Sequence, residues 1–189
     1  MNSDAARITQ MAGEFKIAFS GISLAIVPLM DPRLPLLGVF QSLYEQSADS
    51  PVIITRKDGT RHSSQRLFDV LSAAASVPGA GLRGDLLVFT AMHGVTRIGD
   101  AIDQADLRDP SSPLLEFTRH LRNACAHGNR WHFRGAEPKF PAALRGRTID
   151  SSMHGSQAVN GWLGFGDYLD LLDDLAHHFR GLTGQGAIV

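Results

Sequence analysis

The chain has 189 residues, a hydrophobic fraction of 43%, a charged fraction of 20% and a formal net charge of −1. These values exclude a disordered tail and a strongly cationic protein that coats nucleic acid without specificity. The single cysteine, Cys125, excludes an internal disulfide framework and a cysteine-rich zinc site. We expect one domain over residues 1–189, since this length suits one ordinary core.

The N-terminal segment predicts a long buried helix. Apolar residues recur at spacings of three and four over residues 4–29, and Ser3 is suited to cap them. The apolar run from Ile17 to Met30 is too short to span a bilayer. Glu14 precedes this run and no clean cleavage pattern follows it, which argues against a signal peptide. We therefore expect a cytoplasmic protein without a membrane segment.

A small hairpin is expected after a second, shorter helix at residues 36–45. Residues 52–56 are rich in β-branched side chains and predict a strand, and residues 57–60 form a Lys-Asp-Gly-Thr turn. A second strand through Arg61 and His62 would close the hairpin. Ser63 or Ser64 then suits the N-cap of a helix that ends before Pro78.

Residues 82–104 predict the next long helix. Gly94 and Gly99 interrupt it, and each costs about 1 kcal/mol of helix stability relative to alanine. The two glycines therefore indicate a kink or a close contact between helices. The expected core positions of this helix are Leu86, Phe89, Val95, Ile98 and Ile102.

The clearest start and stop signals of the chain enclose a helix after Ser112. Ser112 is a good N-cap, Pro113 suits the first helical position, and Gly128 suits the left-handed turn after the end. The residues expected on its core face are Leu114, Phe117, Thr118, Leu121 and Cys125. In that position Cys125 is expected to be a small buried side chain and not a nucleophile.

The polar face of this helix carries unusual chemistry. Arg119, Asn123 and His127 are spaced by four, and Arg122 lies on the flank between the two faces. Arginine offers a fork of donors for phosphate, and histidine exchanges a proton near neutral pH. The alternative is structural, because cations near a helix C-terminus also complement the helix dipole.

Residues 129–162 form a long connection rich in Gly, Pro and Arg. Connections of this length are often functional, and Trp131 and Phe133 can stack on bases or anchor the loop to the core. A short strand or extended arm is expected at residues 144–149.

The chain from 118 to 147 has seven bases and one acid, whereas 150–179 has five acids and no Lys or Arg. The two segments either provide a phosphate-binding surface or neutralise each other.

The last helix is expected at residues 167–180, with an apolar stripe that includes Tyr168, Leu172 and Phe179. Its aspartates are interpreted as solvated charge. The eight histidines form no His-Glu-x-x-His or Cys/His pattern, so we expect neither a metal site nor a cofactor.

The run Arg122-Asn123-Ala124-Cys125-Ala126-His127 resembles the signature of the HEPN superfamily, the higher eukaryotes and prokaryotes nucleotide-binding domains. That signature is an Arg, a polar residue that is often Asn, and a short spacer ending in His, and Ala126-His127-Gly128 also matches many members. The resemblance implies an all-α, up-and-down helical bundle, here with a β-hairpin decoration and a long loop before the last helix. It also implies a metal-independent endoribonuclease in which Arg122, Asn123 and His127 are catalytic.

On this interpretation Arg119, Arg130 and Trp131 are candidate substrate-binding residues. Arg122 and His127 are separated by about 140° around an ideal helix, so one chain presents them poorly to one phosphate. HEPN domains typically dimerise, and we therefore expect a homodimer with both motif helices near the interface, with RNA as substrate. A toxin or defence role with an antitoxin partner is common in this superfamily. The alternatives are a non-catalytic nucleotide-, nucleic-acid- or protein-binding module and a plain helical dimerisation protein.

Overall fold

The computed structural model describes residues 3–30, 51–66, 69 and 81–183, and these are mostly helical. The predicted helix at 36–45 and the loop before Gly81 lie outside the described residues. Contacts divide the chain into two compact units, one formed by Met1–Ser20 with Leu87–Val189 and the other by Gly21–Leu86. The helices are α1 (Ser3–Met30), α2 (Gly81–Gln104), α3 (Pro113–Ala126) and α4 (Phe165–Leu182).

The unit Gly21–Leu86 contains the predicted hairpin. Strands β1 (Pro51–Thr55) and β2 (Arg61–Arg66) pair in antiparallel register. Asp58 fixes the turn, since its Oδ1 accepts hydrogen bonds from the Thr60 N–H at 2.9 Å and the Thr60 hydroxyl at 2.7 Å. The prediction that Ser63 or Ser64 caps a helix is wrong, because both residues pair within β2, opposite Ile54 and Ile53.

Helix α2 buries only part of the apolar stripe that the sequence predicts. Val95, Ile98 and Ile102 are buried as predicted, but Leu86 is 41% exposed and Phe89 65% exposed. The buried side of the first turns instead follows Leu87, Ala91 and Gly94. Gly94, which has no side chain, lies on that buried side.

Gly94 makes the closest of these approaches possible. A Cβ built on Gly94 would lie 2.1 Å from the Tyr168 hydroxyl oxygen and 3.3 Å from Cγ of Phe15. Tyr168 in α4 is fully buried, and its hydroxyl has no hydrogen-bond partner among the described residues. The predicted close helix contact at Gly94 is therefore confirmed.

Gly94→Ala is expected to lower the free energy of unfolding by about 1–3 kcal/mol, because the new methyl overlaps the Tyr168 hydroxyl. That loss exceeds the gain in helix propensity of about 1 kcal/mol. Urea denaturation followed by circular dichroism measures it. Tyr168→Phe removes an unpaired buried hydroxyl and should be neutral or stabilising. The double variant should recover most of the loss, and additive effects of the two changes would contradict the proposed contact.

Helix α3 begins and ends as the sequence predicts. The Ser112 hydroxyl accepts a 3.4 Å hydrogen bond from the Leu115 N–H, and Pro113 is the first helical residue. Gly128 adopts a φ of +74° just after the helix. The buried side of α3 is wider than predicted, since Leu115, Glu116, His120 and Ala124 are buried together with most of the expected core face. Cys125 is buried, which raises the pKa of its thiol to about 12, as suits a structural side chain.

The connection from α3 to α4 is held by its own hydrogen bonds. The side chain of Asn129 accepts from the Val159 N–H at 2.7 Å and donates to the Val159 carbonyl at 2.9 Å. The predicted strand at 144–149 is instead two short strands, β3 (Ala143–Leu144) and β4 (Arg147–Thr148). Arg145 and Gly146 form the turn between them with φ values of 48° and 79°, as in a type I′ hairpin.

Helix α4 closes the larger unit and is longer than predicted. Its start is fixed by Asp167, whose Oδ2 accepts a 2.9 Å hydrogen bond from the Gly164 N–H. Its buried residues are Tyr168, Leu171, Leu172, Leu175 and Phe179. Across the described ranges, no helix has both the length and the apolar character needed to cross a bilayer.

Candidate functional site

Arg122 is held by a neighbouring helix. Its guanidinium donates to Oδ1 of Asp100 in α2 from Nε at 2.8 Å and from Nη2 at 2.5 Å. A Cβ on Gly99 would lie 2.6 Å from Cγ of Arg122, so the glycine lets the Arg122 stem cross α2. Sequence reasoning noted Gly99 but missed Asp100, although an acid directly after a close-contact glycine was a usable signal.

Asn123 completes a small network around the guanidinium. Its Oδ1 accepts a 3.2 Å hydrogen bond from Nη1 of Arg122. The Arg122 side chain is 32% exposed, so solvent or a ligand can still reach it. Arg122 and Asn123 thus contact each other directly, with Asp100 balancing the positive charge.

His127 lies outside the last helical turn, at the cap of α3. Its backbone has φ −104° and ψ 40°, and its N–H donates to the Asn123 and Ala124 carbonyls. The side chain is exposed, and its ring centroid lies 5.2 Å from that of His132. His132 lies 5.3 Å from His154 in turn. These three exposed imidazoles, His127, His132 and His154, are named the histidine row.

The third ring of the row has a defined tautomer. Nδ1 of His154 accepts a 3.1 Å hydrogen bond from the Phe133 N–H, so neutral His154 carries its proton on Nε2. Sequence reasoning missed both His132 and His154. Their approach depends on how the long connection closes, since Trp131 pairs with Ser156 and Gly155 through backbone hydrogen bonds of 2.9 and 2.8 Å.

The structure therefore groups the motif residues in two sets. Arg122 and Asn123 contact each other, whereas the His127 ring contacts His132. In the part of the chain that the structure describes, no hydrogen bond joins Arg122 to His127. The predicted difficulty of presenting both side chains to one phosphate from a single chain is consistent with this arrangement.

Arg119, a predicted substrate-binding residue, forms ion pairs with two glutamates of its own chain. It donates to Glu116 from Nε at 2.9 Å and from Nη2 at 2.7 Å, and its Nη2 lies 3.5 Å from Oε1 of Glu137. Burial raises the pKa of Glu116, but the hydrogen bonds and charge of Arg119 outweigh it and lower that pKa overall. Arg119 thus compensates a buried carboxylate.

His120 joins this network from the core and was also missed. Its Nε2 lies 2.7 Å from Nη2 of Arg119 and 3.2 Å from Oε1 of Glu116. Because a guanidinium only donates, the shorter contact makes Nε2 an acceptor and assigns the ring proton to Nδ1, which has no hydrogen-bond partner in the described structure. Burial and then the charge of Arg119 lower the pKa of His120. A histidine next to charged residues in a helix is usually expected on the surface, so this role is not evident from sequence alone.

Arg130 and Trp131 have opposite environments. Arg130 is exposed, and its Nη1 donates to the Gly155 carbonyl at 2.8 Å. Trp131 is 1% exposed and packs against Phe117 at 6.1 Å and Trp162 at 6.0 Å between ring centroids. The prediction that Trp131 binds substrate is therefore wrong for this structure, because a buried ring cannot stack on a base. It anchors the long connection to the core instead.

The basic and acidic segments partly neutralise each other. Arg145 forms ion pairs with Asp170 at 2.7 Å and Asp174 at 3.0 Å, and Arg147 pairs with Asp167 at 2.9 Å. Arg147 also lies over the Trp162 ring, 4.2 Å from its centroid. These cations secure α4 to the connection, so only part of the basic segment is available to a phosphate.

The described residues hold no group of three or more His, Cys, Asp or Glu side chains arranged to bind a metal ion, the histidine row included. What the site offers is a half-buried arginine with an amide beside it, and a row of exposed imidazoles at the end of the same helix. Such groups can neutralise a phosphate and carry protons. Comparisons with protein-family models, with curated proteins and with solved structures gave no match for this chain.

Proposed function

We propose that the protein is a metal-independent endoribonuclease of HEPN type that acts as a homodimer, with Arg122, Asn123 and His127 at the site. The observation that supports this best is the exposed imidazole of His127 at the cap of the motif helix, with His132 5.2 Å away between ring centroids. The same helix carries the Arg122–Asn123 pair just before this end. The helical character of the described chain is compatible with a HEPN-like bundle.

The proposed reaction needs two proton transfers. The ribose 2′-oxygen attacks phosphorus while the bond to the 5′-oxygen breaks, which gives a 2′,3′-cyclic phosphate and a 5′-hydroxyl end. One group takes the 2′-proton and another gives a proton to the leaving oxygen. His127 performs one of these transfers, and His132 is the adjacent imidazole that can perform the other. A requirement for the 2′-hydroxyl restricts cleavage to RNA.

Arg122 and Asn123 serve the phosphate in this proposal. Arg122 stabilises charge that develops on the phosphate oxygens, and Asn123 orients the guanidinium through its 3.2 Å hydrogen bond. Because Arg122 and His127 make no direct hydrogen bond within the described chain, a two-fold copy that places both motif helices at one cleft would complete the site. Of the candidate substrate-binding residues, exposed Arg130 remains suited to contact phosphate. An antitoxin partner and a toxin or defence role belong to the same proposal.

The test is cleavage by the purified wild-type chain in excess EDTA. A labelled RNA should be cut and a DNA of the same sequence should stay intact. Size-exclusion chromatography with light scattering on the same sample should give the mass of a dimer. Cleavage that requires added Mg²⁺, or equal cleavage of DNA, would contradict the proposal.

A second candidate is a non-catalytic binding module. The observation that favours it is the pairing of Arg122 with Asp100, because two of the donors of Arg122 are used inside the chain. RNA that binds and is recovered intact from freshly purified protein would support this alternative over the nuclease.

A further inference from the structure

A cleft of about 280 Å³ lies beside α2 and α3 in the larger unit, and Gly99, which the Arg122 stem crosses, is part of its wall. Its wall includes Leu115, Glu116 and Arg119 of α3, and neither Arg122, Asn123 nor His127 contributes to it. The other charged or aromatic wall residues are Asp103, Arg108, Asp109, Glu137, Lys139 and Phe140. None of the proposed chemistry uses this cleft.

The carboxylates in the wall already have donors within the chain. Arg108 pairs with Asp103, and Arg119 holds Glu116 with two hydrogen bonds. Glu137 accepts a 2.9 Å hydrogen bond from the Arg134 N–H. Asp109 accepts from the Ser111 N–H at 2.9 Å and from the Ser111 hydroxyl at 2.6 Å. Each acid of the cleft therefore has at least one hydrogen-bond donor before any ligand enters.

The cations in the same wall keep unused donors. Within the described ranges, Arg108 bonds only through Nε, Nη1 of Arg119 makes no hydrogen bond, and Lys139 has no ion-pair partner. Free guanidinium N–H groups and an ammonium in the wall of one cleft can bind carboxylate or phosphate oxygens. The wall carries four acids and three cations, so the case for an anion rests on these unused donors and not on the net charge of the cleft.

The cleft also offers an apolar surface. Leu115 is 5% exposed at its wall, and Phe140, next to Lys139 in sequence, leaves 49% of its surface exposed. An aromatic ring this open can cover the flat or apolar body of a ligand. The cleft volume is at the small end of ligand sites, which suits a ligand with about one ring.

We propose that this cleft binds a small organic anion. Its carboxylate or phosphate group would contact Arg108, Arg119 and Lys139, and its aromatic or apolar body would pack against Phe140 and Leu115. This site is independent of RNA cleavage, so it can be present whether or not the protein is a nuclease.

The test uses isothermal titration and ¹H–¹⁵N NMR with three probes of similar size: phenyl phosphate, 3-phenylpropionate and the neutral 3-phenyl-1-propanol. At least one anion should bind at millimolar concentration or below, with shifts at cleft residues, and the alcohol should bind at least about tenfold more weakly. The ratio of the two anion affinities tells whether the site prefers phosphate or carboxylate. Absence of binding by both anions, or equal binding of the alcohol, would overturn the proposal.

Variants then locate the site. Lys139→Glu should weaken anion binding at least about tenfold, and Phe140→Ala should weaken it several-fold. Lys57→Glu is the matched control, since Lys57 is an exposed lysine in the hairpin turn of the other unit and should leave the affinity unchanged. Both cleft positions are exposed, so neither variant should unfold the chain. Equal affinities of Lys139→Glu and Lys57→Glu would also overturn the proposal.

Discussion

His127→Ala is expected to slow RNA cleavage at least about 100-fold, because the variant loses a group that carries a proton in the transition state. The melting temperature should not change, since His127 is exposed and its ring lies beside another exposed ring, that of His132. The measurement is the initial rate on a labelled RNA in EDTA, together with a thermal melt of each variant.

Two other histidines serve as comparisons. His132→Ala removes the adjacent imidazole of the histidine row and should also slow cleavage, although His127 remains in place. His177→Ala changes an exposed histidine of α4 and should cleave like the wild type. A His127→Ala variant that cleaves as fast as His177→Ala would remove the basis of the proposed mechanism.

Trp131→Ala is expected to lower the free energy of unfolding by about 3–5 kcal/mol, the usual cost of deleting a large buried aromatic side chain. Trp131 is 1% exposed and packs against Phe117, Phe133 and Trp162. Because Trp131 anchors the connection between α3 and α4, Trp131→Ala should also make the position of His132 relative to His127 less well defined. Urea denaturation followed by circular dichroism measures the loss.

The controls for this change are one conservative and one exposed aromatic variant. Trp131→Phe should lose less, because a ring is kept and Nε1 of Trp131 has no hydrogen-bond partner in the described structure. Phe140→Ala should change stability by less than about 0.5 kcal/mol, since Phe140 is 49% exposed. Equal losses for Trp131→Ala and Phe140→Ala would mean that Trp131 is at the surface, where the sequence hypothesis of base stacking had placed it.

The bounds of α3 could be predicted from sequence because local chemistry sets them. The Ser112 hydroxyl satisfies an N–H three residues away, and Gly128 adopts the left-handed turn that ends the helix. The same holds for the turn at Asp58 and Gly59. Helix caps and turns of this kind depend on residues that are close in sequence, so one amino-acid sequence is sufficient to predict them.

The partners of the motif residues could not be predicted in the same way. Arg122 meets Asp100 because α2 and α3 pack together at Gly99, and His127 meets His132 because the connection closes through Asn129 and Val159. These contacts depend on tertiary packing, which helical periodicity does not specify.

The burial of three helical side chains, Phe89, Glu116 and His120, differs from what helical periodicity predicts. Periodicity assigned Phe89 to the core and gave no sign that Glu116 and His120 lie inside. Glu116 is buried because Arg119 holds it, so Nε and Nη2 of Arg119 serve this pair inside the chain. A charged residue on a helix is usually exposed to solvent, so the burial of Glu116 becomes evident only from its ion pair with Arg119 in the structure.

The most direct measurement uses DNA oligonucleotides that contain a single ribonucleotide, incubated in EDTA with the wild type, Arg122→Ala and His127→Ala. Mass spectrometry identifies the ends. The account predicts wild-type cleavage only after the ribonucleotide, with a 2′,3′-cyclic phosphate and a 5′-hydroxyl end, and strong loss in both variants. Intact substrate, a 5′-phosphate end or undiminished cleavage by either variant would contradict it.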